Sequence, residues 1–310
     1  MSAIPAAIET FAARLSHVSV TLLLVAVALH LANQLLRATA WRAALSAALP
    51  HHRISRAPVT AAYLAGAGIN AVVPARGGDV ARVVLVSRRA APGCCCVTVA
   101  STLLVETVVD VAVGVWLAAW ALSSGALPQG LSGLRPPGGR PAILVLCLVA
   151  AVVASLAAGR ARRRARILLA ELRQGLTILR RPRAYLQGVA APQAAGWAAR
   201  LGSAYCFLHA FHIHAGPGQA ALVLLGGCLA TMMPLTPAGV GTQQALVAVL
   251  LSGVASPAAA ISFGLGTQLV ITAVNVIAGG TCAGLMLGGP PWRARPSADP
   301  VPLPAATSGE

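Results

Sequence analysis

The stretch NAVVPARGGDVAR, residues 70–82, comes directly after an apolar segment and contains a proline, two glycines, two arginines and an aspartate. Proline removes a backbone donor and interrupts a helix, and glycine tolerates the turn that follows. We therefore predict a broken helix, in which the apolar run 57–75 ends at this stretch and a new helix starts near Asp79.

The remainder of the chain has the composition of a polytopic membrane protein. Hydrophobic residues make up 57% of its 310 residues and charged residues only 10%, whereas about a quarter of a soluble domain is charged. Full-length apolar runs occur at 18–36, 97–122, 141–158, 190–212 and 258–287. Because about 20 apolar residues cross a bilayer as a helix, we expect an all-α membrane helix bundle over residues 1–287. A disordered tail is expected at 288–310.

The charge distribution indicates a membrane protein rather than a nucleic-acid-binding one. The formal net charge is +16 and every basic side chain is an arginine. The arginines cluster at the ends of apolar runs, where they set orientation and contact anionic lipids. The largest cluster, at 160–166, is expected on the cytoplasmic side. By the positive-inside rule we predict a multi-pass protein of the cytoplasmic membrane with its N-terminus outside and its C-terminus inside.

A second apolar run, 218–254, is interrupted by PLTPAGVG at residues 234–241. With the predicted orientation, the runs 57–75 and 218–254 each begin and end on one face, so both are interpreted as re-entrant or broken-helix elements. Full crossing by every apolar run is the alternative. Pro74–Asp79 also aligns with Pro237–Thr242, matching proline, alanine and a glycine. This match suggests the inverted repeat with which many transporters build a binding site near the midplane.

Between the spans, the segment 160–185 has a different pattern. Leucines recur at helical spacing from Leu168 to Leu179, and arginines accompany them. This pattern predicts an amphipathic helix on the cytoplasmic surface or, alternatively, a basic helix that packs on the bundle.

Both interrupted elements are candidate binding sites, because irregular backbone at membrane depth is tolerated only inside protein or along a wet cavity. Arg76 and Arg82 provide guanidinium groups suited to a lipid phosphate, and a helix N-terminus near Asp79 favours an anion. The alternative is that Asp79 caps the helix and pairs with Arg82 without a ligand. The candidate substrate-binding residues of the two elements are Asn70, Pro74, Arg76, Gly77, Gly78, Asp79, Arg82, Pro234, Pro237, Gly239, Gly241 and Gln244.

Three further charged residues lie inside predicted spans and complete the set of candidate substrate-binding residues. Glu106 and Asp110 are four residues apart on one helix face, and Arg200 lies in a later span. Intramembrane charges mark functional sites and are usually paired, so Arg200 is the first predicted partner of the carboxylates, with Arg76 and Arg82 as alternatives. A purely structural ion pair is the other interpretation. No metal site and no cofactor is predicted.

Four segments of the chain carry motifs in a fixed order. They are LRATAWR at 36–42, the N-x-x-x-P-x-R-x-G-[DE]-x-x-R pattern from Asn70 to Arg82, the E-x-x-x-D pattern of Glu106 and Asp110, and PLTPAGVGTQQ at 234–244. Together they resemble the integral-membrane region of lysylphosphatidylglycerol synthases and its stand-alone, flippase-like relatives, over most of the chain. Thr107 and Gln244 depart from the family, which usually has Arg and Glu at these positions.

The resemblance implies a multi-span domain that binds, or translocates across the cytoplasmic membrane, a lipid with a polar, phosphate-containing headgroup. The implied partners are membrane lipids with anionic headgroups, and no nucleic acid is expected. One alternative is a membrane-embedded glycosyl- or aminoacyl-lipid transferase, although such an enzyme needs an acid or base at its reaction face and the predicted outer loops contain no Asp or Glu. A non-transporting partner of a lipid glycosyltransferase is the other. The sequence leaves the headgroup, the energy coupling and the oligomeric state open.

Overall fold

The computed structural model describes residues 18–73, 77–89, 94–125, 177–232 and 241–287. Its helices are α1 Val20–Ala48, α2 Arg56–Val72, α3 Gly77–Arg89, α4 Cys96–Ser123, α5 Pro182–Tyr185, α6 Ala191–Ala210, α7 Pro217–Met232, α8 Thr242–Leu250 and α9 Pro257–Leu287. A 3₁₀ turn, Thr177–Arg180, precedes α5, and a π-helical turn, Leu186–Ala190, joins α5 to α6. The described residues contain no β-strand, which confirms the all-α prediction.

Within these residues, three helices are long and apolar enough to cross a membrane. They are α1 with 29 residues, α9 with 31 residues and the Cys96–Ala121 part of α4 with 26 residues, at mean hydropathies of 1.6 to 1.8. The predicted membrane bundle is therefore confirmed. The first span is longer than its apolar run suggests, because α1 continues past Leu36 to Ala48. Arg37 consequently lies inside a helix and not after its end.

Both predicted helix breaks are present. Helix α2 ends at Val72 and α3 begins at Gly77, while α7 ends at Met232 and α8 begins at Thr242. Gly241, which precedes α8, has a φ of +91°, a left-handed conformation that glycine adopts without steric cost. Pro74, Arg76, Pro234, Pro237 and Gly239 lie outside the described residues. The re-entrant paths and the inverted repeat stay predictions.

Most of the predicted amphipathic segment 160–185 also lies outside the described residues. The part that is described, 177–185, consists of the 3₁₀ turn and α5. Ile178 of the turn is buried and packs in a cluster with Ala40, Ala44 and Val189. This end of the segment therefore packs on α1.

Glycines set the closest approach between helices. Gly68 of α2 faces Gly279 of α9, where an added Cβ would lie 2.6 Å from the carbonyl oxygen of Leu64 and 2.7 Å from Cα of Gly68. Small residues at such positions let helix backbones approach closely in membrane proteins. The broken element formed by α2 and α3 is thereby held against the long helix α9.

A buried indole joins α1 to α4. Trp41 is fully buried among Leu45, Val59 and Val86, and its Nε1 donates a hydrogen bond to Oγ1 of Thr102 at 2.9 Å. Thr102 is also fully buried. Because a buried N–H without an acceptor is costly, this bond fixes how the two helices meet.

Thr102→Val is expected to lower the free energy of unfolding by about 1–2 kcal/mol, because valine keeps the shape of threonine and leaves Nε1 of Trp41 without its acceptor. The matched control is Thr107→Val, an exposed position on the same helix whose hydroxyl donates to the carbonyl of Leu103. Thermal unfolding in detergent compares the two variants. An equal shift in Tm for both would contradict the assigned role of Thr102.

Candidate functional site

Five charged side chains from three helices meet in the bundle. We call them the ion-pair network: Arg37 of α1, Asp79 and Arg82 of α3, and Glu106 and Asp110 of α4. Glu106 lies ten residues after Cys96, the first residue of α4, and therefore about 15 Å along the helix axis. The network thus lies well inside a predicted span, where charged groups are costly.

Arg37 is the centre of the network. Its Nη1 and Nη2 donate to Oδ1 and Oδ2 of Asp110 at 2.7 and 2.6 Å, and its Nε donates to the hydroxyl of Tyr63 at 2.7 Å. Trp197 adds a hydrogen bond from Nε1 to Oδ1 of Asp110 at 3.0 Å. These short, two-pronged contacts have the geometry of a strong guanidinium–carboxylate pair. They connect four helices, α1, α2, α4 and α6.

Arg82 is the second cation of the network and is buried. Its guanidinium carbon lies 5.2 Å from the ring centroid of Trp41 and 4.9 Å from that of Tyr63, within reach of a cation–π attraction. Its Nη2 lies 3.3 Å from Oδ1 of Asp79 and its Nη1 lies 3.5 Å from Oε2 of Glu106. Arg82 therefore joins the start of α3 to the middle of α4.

The broken element at 70–82 is tied together by Asn70. Its Oδ1 accepts a hydrogen bond from the backbone N–H of Gly78 at 2.8 Å, and its Nδ2 donates to Oδ1 of Asp79 at 3.3 Å. Gly78 contacts α2 so closely that a Cβ added to Gly66 would lie 2.8 Å from the Gly78 carbonyl oxygen. The predicted pairing of Asp79 with Arg82 is confirmed. This half of the candidate site is thus internally hydrogen-bonded.

Glu106 is held differently from Asp110. Its side chain is 3% exposed, and its Oε2 lies 3.8 Å from Nη2 of Arg37 and 3.5 Å from Nη1 of Arg82. Among the described residues, its Oε1 has no hydrogen-bond partner, and neither has Nε of Arg82. The network therefore contains one tight pair, Arg37 with Asp110, and one loosely held carboxyl.

The prediction that Arg200 pairs with the two carboxylates was wrong. The alternative partner, Arg82, is confirmed for Glu106. Arg200 lies over the ring of Trp197, 5.1 Å from its centroid, and its Nη2 donates to Sγ of Cys228 at 3.4 Å. Arg37, which was not predicted as a partner, lies beside Asp110 where Arg200 was expected. Sequence reasoning missed it because the apolar run stops at Leu36, which made Arg37 look like a marker of the membrane surface. Its position in the LRATAWR motif was the signal that could have identified it.

The described residues of the second broken element form a separate polar contact. Oε1 of Gln244 accepts a hydrogen bond from the backbone N–H of Gly241 at 2.6 Å, and its Nε2 donates to Oε1 of Gln268 at 2.8 Å. Gln244 therefore caps α8 and joins it to α9. These contacts do not include a residue of the ion-pair network.

A cleft of about 310 Å³ lies near the end of α1, lined by residues that include His52, Cys94 and Thr98. Sγ of Cys94 lies 3.1 Å from Nε2 of His52. Partial burial, together with the neighbouring Cys95, raises the pKa of the Cys94 thiol, which disfavours the nucleophilic thiolate form. In the described part of the chain, no three His, Cys, Asp or Glu side chains are grouped to hold a metal ion.

The family model described as the lysylphosphatidylglycerol synthase TM region matches residues 4–279. A search of curated proteins finds no match. The matched range contains the whole ion-pair network and both broken elements, and the matched family is that of a membrane region rather than of a soluble catalytic domain. The chain therefore belongs to the family of the lysylphosphatidylglycerol synthase transmembrane region.

Proposed function

We propose that this protein binds a lipid with a polar, phosphate-containing headgroup and translocates it across the cytoplasmic membrane. The observation that carries the proposal is the ion-pair network, in which a broken membrane element meets two full-length helices through charged side chains. Charged groups inside a membrane bundle are costly and are characteristic of substrate or ion pathways. Membrane family membership and the apolar spans support the same proposal.

Helix lengths support the proposed path. Helices α2 and α8, whose two ends both lie among the described residues, contain 17 and 9 residues. At about 1.5 Å per residue, each is shorter than the roughly 30 Å hydrocarbon core. Two elements that each turn back inside the bilayer would leave a polar route between them, as in transporters with discontinuous helices.

The cations differ in how available they are to a lipid phosphate. Arg37 and Arg82 each contact carboxylates, whereas the described contacts of Arg200 are an aromatic ring and a thiol. Of these three arginines, Arg200 is therefore the one that can bind a phosphate without first breaking a described ion pair. Arg76, which follows Pro74 in the sequence between α2 and α3, is proposed as its companion because a guanidinium binds phosphate through two hydrogen bonds.

Transport is tested in proteoliposomes that contain fluorescently labelled phospholipids with anionic, zwitterionic and sugar headgroups. Wild-type protein is expected to speed translocation of at least one anionic lipid, and the Pro74→Ala/Arg76→Gln double variant is expected to fall to the rate of protein-free liposomes. The physical reason is the loss of both the helix break and a phosphate-binding fork. Loss of the label to a membrane-impermeant quencher measures the rate.

Arg89→Gln is the matched control, because Arg89 is an exposed residue at the end of α3. It is expected to transport at the wild-type rate. Wild-type translocation no faster than that of the double variant would refute the proposal. If the wild type also co-purifies with a lipid glycosyltransferase and supports its product without moving lipid, the function is that of a non-transporting partner.

A further inference from the structure

Glu106 is the most buried charged side chain of the ion-pair network and the least tightly held. Its side chain is 3% exposed, against 25% for Asp79 and 30% for Asp110. Its distances to Arg37 and Arg82, 3.8 and 3.5 Å, exceed the roughly 2.7–2.9 Å of a charge-assisted hydrogen bond. An ionised carboxylate at this burial would need closer donors, because an unpaired buried charge is far more costly than a neutral polar group.

Two unpaired atoms, one on Glu106 and one on Arg82, support the same conclusion. In the described part of the chain, Oε1 of Glu106 is an acceptor without a donor, and Nε of Arg82 is a donor without an acceptor. An ionised Glu106 would be expected to draw Arg82 into a two-bond fork that satisfies both atoms. The structure instead leaves both unpaired, as expected for a carboxyl group that attracts the guanidinium only weakly.

The charged groups that face Glu106 are Arg37 from α1, Asp79 and Arg82 from α3, and Asp110 from its own helix. Arginine does not lose its proton in proteins, so the carboxyls are the groups of the network that can take up a proton. Among the three carboxyls, Glu106 is the least exposed, and a negative charge is therefore least solvated there.

We propose that Glu106 is a proton-binding site, and that it holds a proton in the arrangement described above. The proton comes from water and binds a carboxylate oxygen, giving a neutral carboxyl group whose loose contacts with both arginines follow from its lack of charge. This part of the inference concerns the chain itself and is independent of lipid transport.

A consequence for transport follows and rests on the proposed function. An anionic headgroup that approaches Arg82 or Arg37 adds negative charge beside Glu106. Ionisation of Glu106 therefore opposes anion binding, and by thermodynamic reciprocity protonation of Glu106 strengthens anion binding by the same factor. An anionic lipid is accordingly expected to cross together with a proton.

Infrared difference spectroscopy of the purified full-length protein at neutral pH tests the proton site. The wild type is expected to have the C=O stretching band of a protonated carboxyl group, shifted in D₂O. Glu106→Gln is expected to lack this band. Asp299→Asn, which removes a carboxylate outside the network, is expected to keep it. The Glu106→Asp variant retains a carboxyl group and is expected to shift the band, which provides a second test if glutamine prevents folding. A band that survives in Glu106→Gln, or a wild type without one, would overturn the inference.

Proteoliposomes that contain a pH-sensitive dye test the coupling, with labelled phosphatidylglycerol added outside. In the wild type, the lumen is expected to acidify as the lipid enters. At alkaline pH the rate at limiting lipid is expected to fall by up to about tenfold per pH unit. Glu106→Gln is expected to remove both effects. Lipid entry without proton entry in the wild type would overturn the coupling. A Glu106-dependent infrared band without transport of any lipid would support the proton site and refute the proposed function alone.

Discussion

Arg37→Gln is expected to lower the free energy of unfolding by about 3–5 kcal/mol, the range found when one partner of a buried ion pair is removed. The Arg37 side chain is 14% exposed and its fork binds both carboxylate oxygens of Asp110 at 2.6 to 2.7 Å. Glutamine cannot reproduce that fork, and Tyr63 would lose its donor as well. Reversible unfolding in mixed micelles, followed by tryptophan fluorescence, measures the change.

The matched control is Arg42→Gln, five residues further along the same helix. Arg42 donates one hydrogen bond from Nε to the Ile54 carbonyl at 3.0 Å, so its loss is expected to cost about 1.5 kcal/mol. In a double-mutant cycle, Asp110→Asn is expected to cost less in the Arg37→Gln background than in the wild type, because the two residues act as a pair. Two results together would contradict the central role of Arg37: an equal loss of unfolding free energy in Arg37→Gln and Arg42→Gln, and a double-mutant cycle in which the effects of Arg37→Gln and Asp110→Asn simply add.

Gly279→Val is expected to lower the free energy of unfolding by about 3 kcal/mol or more, at or above the upper end of the usual cost of overpacking. Even a Cβ at this position would lie 2.6 Å from the Leu64 carbonyl oxygen and 2.7 Å from Cα of Gly68. Backbone atoms cannot rotate away as a side chain can, so α9 would have to separate from α2. The shift in Tm, measured by scanning fluorimetry in detergent, reports the loss.

Gly280→Val is the matched control on the adjacent residue, where an added Cβ would meet no atom within 4 Å. Because valine has a better helix propensity than glycine, this variant is expected to be neutral or slightly stabilising. The Gly279→Ala variant separates packing from helix propensity. Alanine is a better helix former than glycine, yet we expect this variant to be destabilising because its Cβ alone would meet the backbone of α2. Equal Tm values for the variants at 279 and 280 would refute the close contact between α2 and α9.

The helical breaks were predictable because they depend on local backbone chemistry. Proline and glycine act on their own stretch of chain, so the end of α2 and the start of α8 could be predicted from NAVVPARGGDVAR and PLTPAGVG alone. The pairing of Asp79 with Arg82 was predictable for the same reason, since residues three apart on a helix are neighbours. Its distance of 3.3 Å confirms the local argument.

The partners of Glu106 and Asp110 were not predictable in this way. A prediction from apolar residues alone places the end of a span where the charged residues begin. Helix α1, however, continues for twelve residues beyond Leu36. That continuation is stabilised by burial of Trp41 and Leu45 against other helices, which a local pattern does not contain. Arg37 is therefore carried into the bundle, and Arg200, the expected partner, lies beside Trp197 instead.

The sequence by itself determined that this protein is an all-α membrane bundle, where its helices break, and to which family it belongs, because hydropathy, proline and glycine act over short distances along the chain. Only the tertiary structure decided which cation meets which carboxylate, and it left Glu106 with an unpaired oxygen between two arginines. The reason is physical: an ion pair between helices depends on how the helices pack in three dimensions. Residues 37 and 110 are 73 positions apart in the chain, yet their side chains lie 2.6 Å apart.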